Sequence, residues 1–92
     1  SALLVIEVSD TTLRFDRARK ARLYAAAGVA DYWIINLLDL QVEVYRNPTV
    51  DETGRHGYAP PVVLKLGASI APLASPQSAI AVADLLPVKV IS

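Results

Sequence analysis

The stretch LLVIEVSDTTLRFDRARKARLYAAAGVADYWIINL, residues 3–37, decides the fold. Its first part, Leu3–Val8, places apolar and β-branched residues on both alternating faces, which is typical of a buried strand. Asp10-Thr11-Thr12 supplies helix N-cap side chains, and Arg14–Ala27 is rich in strong helix formers. Gly28 is the residue type with which helices commonly end. The pattern predicts a buried strand followed by one helix.

A second buried strand is predicted after the helix. Tyr32–Leu37 again has large apolar groups on both faces, and the Leu38-Asp39 step turns the chain. Leu40–Arg46 alternates, with its valines on one face and Glu43 on the other, which predicts a hairpin partner with one solvated face. The order strand, helix, strand predicts a parallel βαβ crossover, to which the hairpin adds antiparallel pairing. The predicted fold class is therefore α/β or α+β, with a mixed sheet and a flanking helix.

The remaining residues predict shorter elements. The composition of Asn47–Gly57 is that of an exposed loop. Tyr58–Leu66 contains Pro60-Pro61 and is therefore predicted to be an edge strand. Three short pieces separated by prolines complete the chain: Ser69–Ala71, Ala79–Val82 and a helical turn over Ala83–Leu86.

Composition excludes several classes of function. The 92 residues carry nine Lys plus Arg and nine Asp plus Glu, so no global charge attracts nucleic acid. A hydrophobic content of 53% with 20% charged residues excludes intrinsic disorder and predicts one compact domain. The absence of cysteine and the single histidine exclude disulfides, thiolate metal sites and polyhistidine zinc sites.

The apolar runs bear on location and on domain boundaries. The longest, Ala2–Ile6 and Tyr32–Ile35, are far shorter than the roughly 20 residues that span a bilayer. Neither a basic lead-in nor a cleavage site accompanies the first run, which indicates a cytoplasmic protein. The chain contains no Met and opens inside an apolar run, so we expect residues 1–92 to be the C-terminal fragment of a longer domain.

The helix places two charged residues on its apolar side. A wheel of about 100° per residue puts Leu13, Leu23, Tyr24 and Ala27 on one arc, which should face the sheet. Arg19 and Arg22 fall on the opposite side, whereas Asp16 and Lys20 fall within the arc. One interpretation is an Asp16–Lys20 ion pair four residues apart, with the lysine stem covering apolar surface.

A second interpretation places Lys20 next to Glu7 instead of pairing it with Asp16. A carboxylate in an apolar strand must be paired, protonated or bound to a cation. Because the crossover lays the helix back over the strand it left, Lys20 can approach the strand end where Glu7 and Ser9 share one face. In a metal nuclease such a carboxylate helps to hold Mg²⁺, while the lysine orients water or stabilises developing charge. A plain buried Glu–Lys pair is equally compatible with the spacing.

These residues resemble a known family. The strings LVIEVSDTT (4–12), DRARK (16–20), LYA (23–25) and GVADYWIIN (28–36) closely resemble a bacterial restriction-endonuclease family, long catalogued as a domain of unknown function, within the PD-(D/E)XK nuclease superfamily. The resemblance is strong over the first half of the chain and loose over the rest. It implies a restriction-endonuclease-like α/β fold, of which this chain is the C-terminal portion.

The resemblance also implies roles for individual residues. Glu7 matches the acidic residue of the E-x-K element, and the carbonyl of Val8 matches its additional metal ligand. Ser9 stands where the simplest motif has Lys, and Lys20 on the following helix matches the displaced lysine. The metal-binding Asp of the superfamily lies on a strand upstream of the E-x-K strand, and this chain begins after that point. We therefore expect an incomplete, inactive site in the fragment.

Two functions remain open on these grounds. The first is Mg²⁺-dependent hydrolysis of DNA phosphodiesters by the intact protein, with Glu7 and Lys20 catalytic and with Glu7 and Val8 binding the metal. The second is a binding or structural module that keeps the fold without catalysis, with Glu7 and Lys20 as a residual ion pair. In either case the first strand, exposed at an edge, predicts a homodimer or larger homo-oligomer.

Other candidate residues are weaker. Nothing near His56 in the sequence orients it as a base, so we expect it in an exposed loop. The basic residues of 14–22 could contact phosphates, although solvated Ala- and Arg-rich helices are common. Tyr32 and Trp33 are predicted to be core residues rather than base-stacking platforms. Ser9 lacks the context of a hydrolase nucleophile.

Overall fold

The computed structural model describes residues 4–9 and 13–86, with the side chains of the helix described from Arg17 onward. The helix begins at Leu13 and ends near Gly28, whose φ of +78° is the left-handed conformation favoured at helix C-termini. The described elements are β1 (Val5–Ser9), α1 (Leu13–Ala26), β2 (Asp31–Asn36), β3 (Gln41–Arg46), β4 (Pro48–Val50), β5 (His56–Tyr58), β6 (Val62–Leu64), β7 (Ser69–Ile70), β8 (Ile80–Ala81) and α2 (Val82–Leu85).

The main sheet has the strand order β1-β2-β3-β6 within the described residues. β1 runs parallel to β2, with Glu7 opposite Ile34, whereas β2–β3 and β3–β6 are antiparallel. This arrangement confirms the predicted βαβ crossover, the hairpin and the mixed sheet with a flanking helix. β4 pairs with β5 and β7 pairs with β8, each as a separate antiparallel pair.

The sheet buries apolar residues on both sides. Directly paired residues share a face, so Glu7, Ile34 and Glu43 lie in one row on the α1 side. The core on that side contains Val29, Tyr32, Ile34 and Tyr45. The larger core on the opposite side is closed by the C-terminal segments and contains Trp33, Ile35, Val42, Val44, Ile70, Val82 and Leu86.

Two predictions about the strands are wrong. β1 is not buried on both faces, since Ile6 is 43% and Val8 64% exposed. Both residues project from the face opposite α1, where the described core contains neither of them. The second face of β3 is not solvated, since Glu43 and Tyr45 are buried. Arg17 of α1 covers Glu43, and the ring of Tyr58 from β5 packs against Tyr45.

The predicted helix face is partly wrong. Tyr24 and Lys20 are partly buried as predicted, whereas Leu23 was expected to face the sheet but is 59% exposed, and Ala27 is exposed. From Arg17 onward, the partly or fully buried positions of α1 are Arg17, Lys20, Ala21, Tyr24 and Ala25. Their spacing is helical, but two of them are charged, so a wheel built on apolar residues rotates the helix away from its true orientation.

The later elements differ from prediction in detail. Asn47–Gly57 is not a plain loop, because it contains β4 and the start of β5, although residues 49–56 are exposed as predicted. The expected strand Tyr58–Leu66 is interrupted at Pro60-Pro61, since proline cannot donate to a strand ladder. Its second part, β6, forms the predicted edge of the main sheet.

A buried ion pair attaches the C-terminal segment to the sheet. Asp31 is fully buried, and its Oδ1 accepts hydrogen bonds from Trp33 Nε1 at 2.7 Å and Arg46 Nε at 2.9 Å. Its Oδ2 accepts from the Leu73 N–H at 2.9 Å, and Arg46 also donates to the Ala71 carbonyl. Residues 71–73 are therefore tied to the beginning of β2 and the end of β3.

Candidate active site

Glu7 and Lys20 meet on the α1 side of the sheet. Lys20 Nζ lies 2.7 Å from Glu7 Oε2, in a charge-assisted hydrogen bond across the crossover. The Glu7 side chain is 24% exposed and that of Lys20 40% exposed, so the pair lies at the rim of the core, accessible to solvent. Glu7 and Ser9 have the same position in the strand alternation, as the sequence predicts.

Tyr32 provides a second donor to the same carboxylate. Its hydroxyl donates to Glu7 Oε1 at 2.8 Å, so each carboxylate oxygen accepts one described hydrogen bond. Tyr32 is buried, as predicted for a core residue, but the sequence pattern does not predict a partner for its hydroxyl. A buried tyrosine usually finds a hydrogen-bond acceptor, and this tendency was the available signal.

Three other tyrosine rings lie close to the ring of Tyr32. The Tyr32 ring lies 4.9 Å from that of Tyr24, 5.6 Å from that of Tyr45 and 6.1 Å from that of Tyr58, measured between centroids. Burial is the main cause that raises the pKa of Tyr32, reinforced by its hydrogen bond to Glu7 and by the charge of that carboxylate. Burial also raises the pKa of Tyr45, and it raises the pKa of Tyr58 to about 12.

We expect the fold to lose stability at alkaline pH because of these phenols. Each pKa is raised in the folded state above its ordinary value of about 10, so folding favours the protonated form. The stability contributed by Tyr58 is complete below about pH 10 and is lost as the pH rises through about 12. Urea unfolding between about pH 9 and about pH 12 measures this loss. Tyr58→Phe should show a flatter pH dependence, and an unchanged dependence would contradict this explanation.

A second ion pair lies beside the first. Glu43 is buried in β3, and its Oε2 accepts from Arg17 Nη2 at 2.9 Å, from Asn36 Nδ2 at 2.9 Å and from Gln41 Nε2 at 2.8 Å. Glu43 Oε1 and Arg17 Nε are buried and have no hydrogen-bond partner among the described residues. The sequence pattern does not predict this pair, although Arg17 lies one turn before Lys20 on the same helix.

The oxygen atoms at and beside Glu7 are of the type that binds a hard cation. An ionised carboxylate has about four lone-pair positions, and the two described donors take two of them. Ser9 directs its carbonyl to β2, where it accepts from Leu37 N–H at 2.9 Å. Successive residues of a strand direct their backbone groups to opposite edges, so the Val8 carbonyl faces away from β2. Carboxylate and carbonyl oxygens are the ligands that Mg²⁺ prefers.

These donors form only part of a metal site. Among residues 4–9 and 13–86, no cluster of three or more His, Cys, Asp or Glu side chains is placed to hold a metal ion. His56 lies in the exposed part of the β4–β5 segment, as predicted. Arg19 and Arg22 are exposed on α1, also as predicted. The Asp16 side chain lies outside the described set, so the Asp16–Lys20 pair stays a prediction.

Comparison with protein families identifies the chain. The family model Uma2, described as "Putative restriction endonuclease", matches residues 1–83. The chain belongs to this family. Membership confirms the resemblance seen in the sequence, and the mixed sheet with its helix is consistent with a restriction-endonuclease-like fold. No curated protein matches the chain.

Membership in the Uma2 family points to a nuclease with DNA as its substrate class. Enzymes with this fold usually use a divalent metal, which agrees with the oxygen donors of Glu7 and Val8. Neither of the described helices has the length and apolar character needed to cross a bilayer.

Proposed function

We propose that the intact protein is a Mg²⁺-dependent DNA endonuclease that hydrolyses phosphodiester bonds. The observation that carries the proposal is the 2.7 Å contact between Glu7 and Lys20, which places a carboxylate and an ammonium together at a solvent-accessible rim. Membership in the Uma2 family supports it. In this proposal Glu7 and Lys20 are the catalytic residues, and Glu7 with the Val8 carbonyl holds the metal.

Each residue has a distinct task in the proposed reaction. When bound, Mg²⁺ supplies Lewis-acid polarisation of the scissile phosphate and lowers the pKa of water. Glu7 provides negative charge and two oxygens at a fixed place on β1. Lys20 carries a positive charge beside Glu7, where it stabilises the charge that develops on the phosphate oxygens as water attacks and the P–O bond breaks.

We further propose that another acidic residue completes the site. The Val8 carbonyl faces the edge of β1 that has no partner among the described residues, so a strand pairing there would bring its own side chains next to Glu7. The family resemblance assigns an Asp to a strand upstream of β1. In this proposal residues 1–92 are the C-terminal portion of a longer domain, and the fragment alone does not cleave DNA.

Metal binding by the intact protein tests this proposal. Titration calorimetry with Mg²⁺ or Mn²⁺ should show that Glu7→Gln weakens affinity by at least about 10-fold, because a carboxylate ligand is lost. Glu52→Gln, which removes an exposed carboxylate from the β4–β5 segment, is the matched control and should bind like wild type. Equal affinity of Glu7→Gln and wild type would overturn the metal assignment.

One observation favours a second candidate function. Glu7 and Lys20 neutralise each other inside the described chain, as a residual pair would in a nuclease-like module without catalysis. Such a module would bind DNA without any dependence on a divalent cation. A gel-shift assay with and without EDTA, combined with a plasmid cleavage assay, separates the two functions. Cation-independent binding without cleavage would favour the module.

We also propose that the protein is cytoplasmic and that residues 1–92, when no upstream strand covers β1, form a homodimer or larger homo-oligomer. β1 has no partner strand on its outer edge among the described residues and carries exposed Ile6 and Val8, and an unpaired apolar edge strand is a template for strand pairing. A second copy of the chain pairing along this edge would satisfy its free backbone groups. Light scattering after size exclusion at micromolar concentration decides the matter, and a stable monomer would contradict the proposed oligomer.

A further inference from the structure

Tyr32 donates a hydrogen bond to Glu7 that its position in the core does not require. Its hydroxyl is one of the two described donors to the Glu7 carboxylate, although the ring alone would fill the core. We propose that Tyr32 is a positioning residue that fixes the Glu7 carboxylate in the orientation that binds the divalent cation. This inference rests on the proposed function, because it assigns Tyr32 to the same cation site.

The sheet register places the hydroxyl at Glu7. Tyr32 pairs with Val5 and Glu7 pairs with Ile34, so the two side chains are diagonal neighbours on the α1 face of adjacent parallel strands. A tyrosine is long enough to cover that diagonal, and the resulting distance from hydroxyl to carboxylate is 2.8 Å. The contact thus joins two central elements of the fold rather than a loop.

The ring of Tyr32 cannot move freely. Its exposure is 1%, and the rings of Tyr24, Tyr45 and Tyr58 lie against it from α1, β3 and β5. Packing of the ring on three sides fixes the position of the hydroxyl oxygen beside Glu7.

Two donors from different elements define the plane of the carboxylate. Lys20 on α1 binds Oε2 and Tyr32 on β2 binds Oε1, so rotation of the carboxylate would break one contact or the other. A glutamate that is already held has less side-chain freedom to lose when it binds an ion. Hydrogen-bond partners of metal-binding carboxylates are known to control affinity in this way.

Cation affinity of the tyrosine variants tests the inference. In the intact protein, Tyr32→Phe should weaken Mn²⁺ binding measured by calorimetry by about 10- to 100-fold, since only the hydroxyl is removed. Tyr45→Phe is the matched control, because it removes a hydroxyl from the same ring stack that is not one of the described donors to Glu7. Equal affinity of Tyr32→Phe and wild type would overturn the inference.

A double-variant cycle shows whether Tyr32 acts through Glu7. If it does, adding Tyr32→Phe to Glu7→Gln should weaken Mn²⁺ affinity by much less than the same change does in wild type. Additive losses would indicate that Tyr32 affects affinity only through general stability. Thermal unfolding and near-UV circular dichroism of each variant establish that the fold is retained.

A measurement on the wild-type protein covers the case in which Tyr32→Phe does not fold. With ¹³C-labelled tyrosine, the Cζ resonance of Tyr32 should shift during a Mg²⁺ titration, because its hydrogen-bond acceptor becomes a metal ligand. The Cζ resonance of Tyr45 should stay in place, and an unmoved Tyr32 resonance at saturation would refute the positioning role. If the wild type binds the cation but does not cleave DNA, the endonuclease proposal fails. The affinity and NMR measurements would still decide whether Tyr32 positions Glu7.

Discussion

Lys20→Ala is expected to reduce DNA cleavage by the intact protein by about 10²- to 10³-fold, with little loss of DNA binding. Lys20 is the helix cation that contacts Glu7, so its removal takes away the positive charge at the position where the phosphate would react. Initial rates of plasmid cleavage at saturating Mg²⁺ measure the effect on turnover. Gel-shift affinity measured in Ca²⁺ measures binding separately.

Two neighbouring cations provide matched controls. Arg19 and Arg22 lie on the same helix but are exposed and point away from the Glu7 side. Arg19→Ala and Arg22→Ala should at most weaken DNA binding, because exposed cations contribute screened contacts to phosphates. If Lys20→Ala cleaves DNA as fast as these two variants do, then Lys20 is an ordinary surface residue whose stem covers apolar surface.

The largest expected loss of stability follows from Asp31→Ala. The Asp31 carboxylate is fully buried and accepts hydrogen bonds from Trp33, Arg46 and the Leu73 backbone. Removing the Asp31 carboxylate leaves the partly buried Arg46 without its counter-charge and the Trp33 and Leu73 N–H groups without an acceptor, which together we expect to cost about 3 kcal/mol. A domain of this size has a free energy of unfolding of the same order, so we expect little folded Asp31→Ala protein at 37 °C.

Urea denaturation of Asp31→Ala measures this loss, with Asp84→Ala as the control. Asp84 is exposed on α2, and surface substitutions of this kind usually change the free energy of unfolding by less than about 0.5 kcal/mol. Asp31→Asn keeps the size of the side chain but removes its charge, and should fall between the two. A loss below about 1 kcal/mol for Asp31→Ala would show that the pair with Arg46 contributes little.

The sequence was sufficient to predict the crossover and the meeting of Glu7 with Lys20. Both follow from local patterns. A strand, a helix that ends at Gly28 and a second apolar strand form a βαβ unit, and such crossovers are almost always right-handed. That crossover lays α1 over β1. The hairpin of β2 and β3 was predictable for the same reason, since its two strands are separated only by a short turn.

The orientation of α1 and the burial of Glu43 were not predictable from the same patterns. The helix wheel placed Lys20 on the sheet side but not Arg17, which faces the sheet because it pairs with the buried carboxylate of Glu43. Contacts between residues far apart in sequence, such as Asp31 with Leu73, leave no periodic signal at all. The hydrogen bond from the Tyr32 hydroxyl to Glu7 was also not predictable, because a tyrosine in a buried strand is counted as an apolar residue.

The two ion pairs of α1 constrain how this sequence can diverge. One turn of helix carries Arg17 to Glu43 on β3 and Lys20 to Glu7 on β1, so the helix is held on both sides of β2 by charge. Leu23 is exposed on the same helix and takes no part in these ion pairs, so we expect it to tolerate substitution. Positions 17 and 43, in contrast, are expected to change together or to stay as they are, because loss of either partner leaves the other without its ion pair. We therefore expect correlated substitution between this helix and a strand 26 residues away in the sequence.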